Sequence, residues 1–286
     1  MKPLSKMKIR KATDPIMILT ILFFIIIGEI GCGIEKSFIF FPEKEIIEKP
    51  TDIGLAYEDL YLPTSDDIKI NGWFIPFSGA RTTLLWFHGN AGNLSHRVDQ
   101  LRYIHYRLRL NILMIDYREY GRSEGIATEE GTYQDALASY DYLLTRIDID
   151  PKRIVVFGQS LGAAVAVDLA LQRRVSGLIL EAPFTSIKDM AHVTLPWLPI
   201  GPLLAIQYES LSKISRIDVP LLIIHGDRDE IVPYSQGQRL FQAAREPKTF
   251  YAIAGAGHND TYVVGGESYF EAIAHFINGL SSVNGS

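Results

Sequence analysis

From Thr82 onward the chain alternates short apolar, β-branched runs with longer segments whose apolar positions recur at helical spacing. The runs "TTLLWF", "NILMIDY", "RIVVFG", "GLILEA", "PLLIIHG" and "TFYAIAG" are apolar without alternation, the pattern of parallel strands covered on both faces. Between them lie amphipathic segments. The one starting near Thr128 opens with Glu129 and Glu130, favourable for a helix dipole, and is predicted to bury Ala136, Tyr140, Leu143 and Leu144 on one face. Ahead of this region, "LAYEDLYLPT" and "IKINGWFIPF" do alternate and are separated by "SDD", which predicts an antiparallel hairpin. The whole reads as a mostly parallel α/β sheet with helices on both faces, right-handed crossovers, and ligands at the carboxyl ends of the strands.

The start of the chain has a different character. "MKPLSKMKIRKATDP" carries five basic residues and one acid, and the apolar stretch that follows reaches Ile34 with Glu29 as its only charge. A basic flank before about 19 apolar residues is a membrane-targeting layout, and three readings fit it. These are a cleaved signal, an uncleaved anchor, and a lipoprotein signal in which Cys32 is the acylated residue. In the last two the positive charges stay cytoplasmic, which puts the catalytic domain on the extracytoplasmic side, tethered by its N-terminus. Residues 1–34 are therefore assigned to membrane targeting, 35–54 to a linker and 55–280 to the α/β domain.

Composition narrows the partners. At 286 residues, with 47% hydrophobic and 21% charged, one large core is the default. The formal net charge of −5 excludes nucleic acid as a main partner, because phosphate binding needs a basic surface. A single cysteine excludes an intramolecular disulfide and a thiolate zinc site.

Polar and glycine residues gather at the strand ends: "HGNAGN" from His88, "DYREYGRSEG" from Asp116, "GQSLG" from Gly158, "EAPFTS" from Glu181, "HGDRDEIVP" from His225 and "GAGHND" from Gly255. In "VVFGQSLGAAVA" a strand turns abruptly into a helix around Gly-x-Ser-x-Gly, a corner that exposes a serine hydroxyl beside fresh helix amides. Alone, that stretch also reads as a buried strand whose serine only caps a helix. The rest of the chain decides between the two. A serine becomes a nucleophile when a histidine takes its proton and a carboxylate orients that histidine, and the chain supplies Ser160, Asp229 and His258 in that order, each after a strand. His88 and His225, each followed by glycine in a turn, read as structural, and Asp227, two residues from Asp229, could reach the same region from the loop; it is the resemblance to a hydrolase family carried by these motifs that ranks Asp229 ahead. Asp260 reads as a cap for the last helix, and Asp116 with Arg118 as a structural ion pair. His225, Asp227 and Asp229 match no metal-ligand spacing, so no metal is assigned.

Together these six motifs resemble the serine hydrolases of the α/β-hydrolase superfamily, in the branch that holds bud-emergence-type hydrolases and membrane-associated acyl-protein thioesterases. The resemblance covers about residues 55–280. It implies an α/β-hydrolase fold with a short cap insert, Ser160 as nucleophile, Asp229 as acid and His258 as base. It also implies an oxyanion hole from the backbone amides of Leu161 and Asn90, and no cofactor.

The expected activity is cleavage of a carboxylic ester or thioester, with a small-molecule or lipid-like acyl substrate. The insert, about residues 187–219, is apolar and broken by prolines, and Trp197 and Leu198 are the residues expected to form a hydrophobic rim over the serine. Two rivals stay open: a serine peptidase or amidase on the same scaffold, and an inactive membrane-tethered binding protein.

Overall fold

A computed structural model describes residues 35–194 and 204–283. The 1–34 segment with Cys32, and Trp197 and Leu198 in the insert, lie outside the described residues. Among the described residues no helix is long and apolar enough to cross a membrane.

The main sheet has eight strands: β1 (Glu58–Pro63), β2 (Lys69–Ile75), β3 (Thr83–Phe87), β4 (Asn111–Ile115), β5 (Ile154–Gln159), β6 (Gly177–Glu181), β7 (Leu221–Gly226) and β8 (Lys248–Ile253). Their order across the sheet is β1-β2-β4-β3-β5-β6-β7-β8. The expected hairpin is β1 with β2, antiparallel, with Glu58 opposite Phe74 and Pro63 opposite Lys69. β2 also runs antiparallel to β4, and every later pairing is parallel. The apolar runs thus became buried strands, as continuous apolar sequence requires when both faces are covered.

Alternation along each strand sends side chains to two separate cores. Leu85 and Phe87 of β3 pack on one face and Leu84 and Trp86 on the other. The first face is covered by α2 (Glu129–Thr145), α3 (Leu161–Gln172), α5 (Ser210–Ile214) and α6 (Tyr234–Ala243). The second is covered by α1 (Val98–Leu108) and α7 (Thr261–Val283). Thr128 caps α2, its hydroxyl accepting the Gly131 amide at 3.0 Å. The buried stripe of α2 runs through Thr132, Ala136, Ser139, Tyr140 and Leu143. Leu144, expected on that stripe, is 43% exposed, because one further residue turns it about 100° past the buried edge.

Residues 35–54, assigned to a linker, pack on the domain. Ile39 and Phe40 are buried in the first core, and Phe41–Pro42 pair in parallel with Ala91–Gly92. The Glu35 carboxylate accepts the backbone amides of Ala205 and Ile206 at 3.0 and 2.9 Å. Ile39, Phe40 and Pro50, the buried residues of this stretch, establish no period, so the sequence carries no sign of this docking. In the insert, α4 (Ile187–Thr194) precedes Ile206 and Tyr208, which are buried, and the Tyr208 hydroxyl shares a 2.7 Å hydrogen bond with Thr132. The described part of the insert is therefore packed into the domain.

Candidate active site

The strand order changes direction at β3, since the chain proceeds from β3 to β4 on one side and then to β5 on the other. Such a switch point opens a crevice at the carboxyl ends of the strands. Gly89 and Asn90 follow β3 there, and Ser160 follows β5.

Ser160 occupies φ 51°, ψ −112°, a backbone region that costs a non-glycine residue about 1–3 kcal/mol. The surroundings enforce it. Its amide donates to the Glu181 carbonyl at 2.9 Å, and its own carbonyl accepts the Ala163 amide at 3.0 Å, so the corner is pinned between β6 and α3. The flanking glycines are steric necessities. A Cβ on Gly158 would lie 2.3 Å from the Gly162 carbonyl oxygen, and one on Gly162 would lie 2.1 Å from that of Phe87. The strand-to-helix corner is therefore tight enough to hold the serine clear of the helix.

His258 Nδ1 donates to Asp229 Oδ2 at 2.7 Å. A carboxylate can only accept, so Nδ1 carries the proton and Nε2 is the acceptor nitrogen of the neutral ring. Asp229 Oδ1 accepts the amides of Ile231 and Val232 at 2.9 and 2.8 Å. His225 Nε2 lies 3.2 Å from Asp229 Oδ2 and 3.0 Å from the Val232 carbonyl. Burial pushes the Asp229 carboxyl up, but the hydrogen bonds from His225, His258 and the Val232 amide outweigh it and hold the group well below the usual carboxylate range. The loop after β7 is thus folded around a fixed negative charge aimed at His258.

Of the two residues whose amides were singled out from the sequence, Asn90 lines the cavity that Ser160 lines, and Leu161 directly follows the serine. Leu161 is the first residue of α3, where helix amides have no partner inside the helix. Asn90 is held firmly: its carbonyl accepts the Phe41 amide at 3.0 Å and the Tyr120 hydroxyl at 2.7 Å, and its side chain donates to the Ile39 carbonyl at 2.9 Å.

Ser160, His258 and Asn90 line one cavity of about 290 Å³. Its other walls include Arg97, Gln100, Gln159, Glu181, Asn259 and Tyr262, none of them singled out from the sequence. Glu181 is fully buried and accepts from the Thr261 and Tyr269 hydroxyls, and burial raises its pKa. Gln159 accepts from Trp86 Nε1 at 2.9 Å and donates to Gln100 at 3.0 Å, extending this polar layer behind the serine. A polar residue closing each apolar run was the available signal for Glu181 and Gln159. Arg97 and Gln100 had none, because they lie after a short turn in a segment with no motif.

Among the other candidates, His88 donates from Nδ1 to the Gly89 carbonyl at 2.6 Å and lies against Tyr117 with the rings tilted by 45°, inside the fold. Asp227 is exposed and accepts the Gly255 amide at 2.7 Å. Asp260 does not cap the last helix with its side chain; that carboxylate turns back to the Gly257 amide at 2.7 Å, closing the turn that carries His258. Asp116 and Arg118 do not pair with each other. Arg118 bridges Asp66 and Asp135, and Asp116 accepts the Leu94 amide at 2.9 Å with His88 Nε2 3.5 Å away. The residues are close in sequence but leave β4 on different sides of the following turn.

The model of the prolyl oligopeptidase family matches residues 126–276. Protein bem46 of Schizosaccharomyces pombe is 36% identical over 257 residues, 85% of each chain. The alpha/beta hydrolase domain-containing protein WAV2 of Arabidopsis thaliana is 39% identical over 248 residues, 80% of each chain. An esterase of Pyrococcus furiosus has a similar structure, with a TM-score of 0.70 at 24% identity over 83% of this chain and 98% of that one, a likeness of fold. The chain therefore belongs to the prolyl oligopeptidase family and is an α/β-fold hydrolase of the bem46 type.

Proposed function

We propose that the protein hydrolyses carboxylic esters or thioesters through an acyl-enzyme on Ser160. The observation that carries this reading is the 2.7 Å bond from His258 to a deeply ionised Asp229, at a cavity that Ser160 also lines. In the first step Ser160 Oγ attacks the carbonyl carbon while His258 Nε2 takes its proton, and the amides of Leu161 and Asn90 receive the developing oxyanion. His258 then gives that proton to the departing alcohol or thiol. Water, deprotonated by the same nitrogen, releases the acid and restores the serine. Asp229 keeps Nδ1 protonated throughout and stabilises the imidazolium.

The substrate in this reading is a small or lipid-like ester of a hydrophobic acid, with Trp197 and Leu198 of the insert flanking the acyl chain. Residues 1–34 tether the domain to a membrane on its extracytoplasmic side. Labelling with a fluorophosphonate probe and peptide mapping tests the chemistry: the adduct is expected on Ser160 and absent in Ser160→Ala. A folded protein that takes no label, or a Ser160→Ala variant with full esterase activity, overturns the reading.

A second reading, a serine peptidase, is favoured by the description of the matched family. It uses the same residues on an amide. Turnover of a peptide anilide at a rate near that of the corresponding ester would select it.

A further inference from the structure

Arg97 stands apart from the other charged groups around the serine. It lines the same cavity as Ser160 and His258. A Cβ placed on Gly89 would be 3.7 Å from Ser160 Cβ and 4.0 Å from Arg97 Nη2, so serine and guanidinium both lie within van der Waals reach of one position. Its hydrogen bond is a single one, from Nη2 to the Ala91 carbonyl at 2.8 Å. Arg118, Arg146 and Arg173 each pair with carboxylates, whereas among the described residues no carboxylate pairs with Arg97. The nearby acids are engaged elsewhere, Glu181 with Thr261 and Tyr269, and Asp116 with the Leu94 amide. A guanidinium presents five donors in a planar fork, and here most of them remain unused beside the candidate nucleophile. Burial lowers its pKa, the mark of a cation partly stripped of water, and a partly desolvated charge gains more from an incoming anion than an exposed one does.

We propose that Arg97 receives a carboxylate carried by the substrate, so that the preferred ester is a monoanion with its charge a few bonds from the scissile carbonyl. A carboxylate suits a single fork better than a phosphate dianion, whose second charge would meet no further arginine or lysine among the described walls of the cavity, which Glu181 also lines. The inference rests on ester hydrolysis at Ser160 and names its substrate class.

The test compares 4-nitrophenyl hydrogen glutarate, its spontaneous hydrolysis subtracted, with 4-nitrophenyl methyl glutarate, in which a methyl ester replaces the free carboxylate; both are followed by release of 4-nitrophenol. In the wild type, kcat/KM is expected to favour the anion at least tenfold at low ionic strength, with the preference shrinking as sodium chloride is added. Arg97→Gln is expected to lower that ratio at least tenfold, and Arg97→Lys to restore part of it. If Arg97 served only to hold the Ala91 carbonyl, its loss would slow both esters alike and leave the ratio unmoved. A wild-type ratio near one, or a ratio unchanged in Arg97→Gln, overturns the inference. Calorimetric binding of both esters to Ser160→Ala gives a reading that needs no turnover. Tighter binding of the anion, lost when Arg97→Gln is added, supports the subsite even if neither ester is hydrolysed and the esterase reading falls. Equal binding of the two overturns the subsite even if esterase activity stands.

Discussion

Asp229 sets the electrostatics of the site by meeting four donors, two amides on one oxygen and two imidazoles on the other. A carboxyl depressed in the folded state stabilises the fold at every pH above its unfolded value, near 4, and that contribution is lost as the pH falls from there toward the folded value. Replacing it with asparagine, its oxygen kept on the two amides, turns an NH2 group toward both imidazole N–H groups and removes the negative charge. Asp229→Asn is expected to lower kcat by on the order of 10³–10⁴. It is also expected to be less stable than the wild type at neutral pH, with the gap narrowing in acid. Steady-state kinetics and urea melts at pH 7 and pH 3 check both. An equal stability gap at the two pH values would mean that the loss is one of packing and not of charge.

The strand-to-helix junction joins β5 to α3 with no slack, because the helix lies directly on the end of β3. Gly162→Ala forces the Phe87 carbonyl and the helix apart, and is expected to cost about 3 kcal/mol in chemical denaturation, at the upper end for overpacking. This junction was legible before the structure, since Gly-x-Ser-x-Gly between an apolar run and a small-residue helix is a local signal. Asp229 and His258 were marked by their order and their places after strands, with the family resemblance ranking Asp229 ahead of Asp227. Less legible was everything created by tertiary approach: Glu181 and Gln100 meet through Tyr269, and Arg97 shares the cavity of the serine beside Gly89. Neighbours in sequence also misled, as Asp116 and Arg118 show, because one turn was enough to send their side chains to different partners. Leu144 missed the buried stripe for the opposite reason, a single residue of helical rotation.

At the scale of the molecule, residues 35–42 act as a strap across the strand ends. Phe40 is 3% exposed and meets Tyr208 edge-on at 6.4 Å, so the strap and the insert share one apolar contact. Phe40→Ala is expected to lower stability by about 3 kcal/mol, the low end for a buried phenylalanine, because the cavity lies near the surface and can partly close. A urea midpoint within error of the wild type would show that the strap is not part of the cooperative unit. The strap has one further property. The backbone of Phe41 is bonded to the Asn90 carbonyl, and Glu35 is bonded to the chain at Ala205 and Ile206. Tension applied through residue 35 therefore loads the Asn90 peptide and the insert before it reaches any strand of the main sheet, which makes this segment a mechanical handle on the cavity.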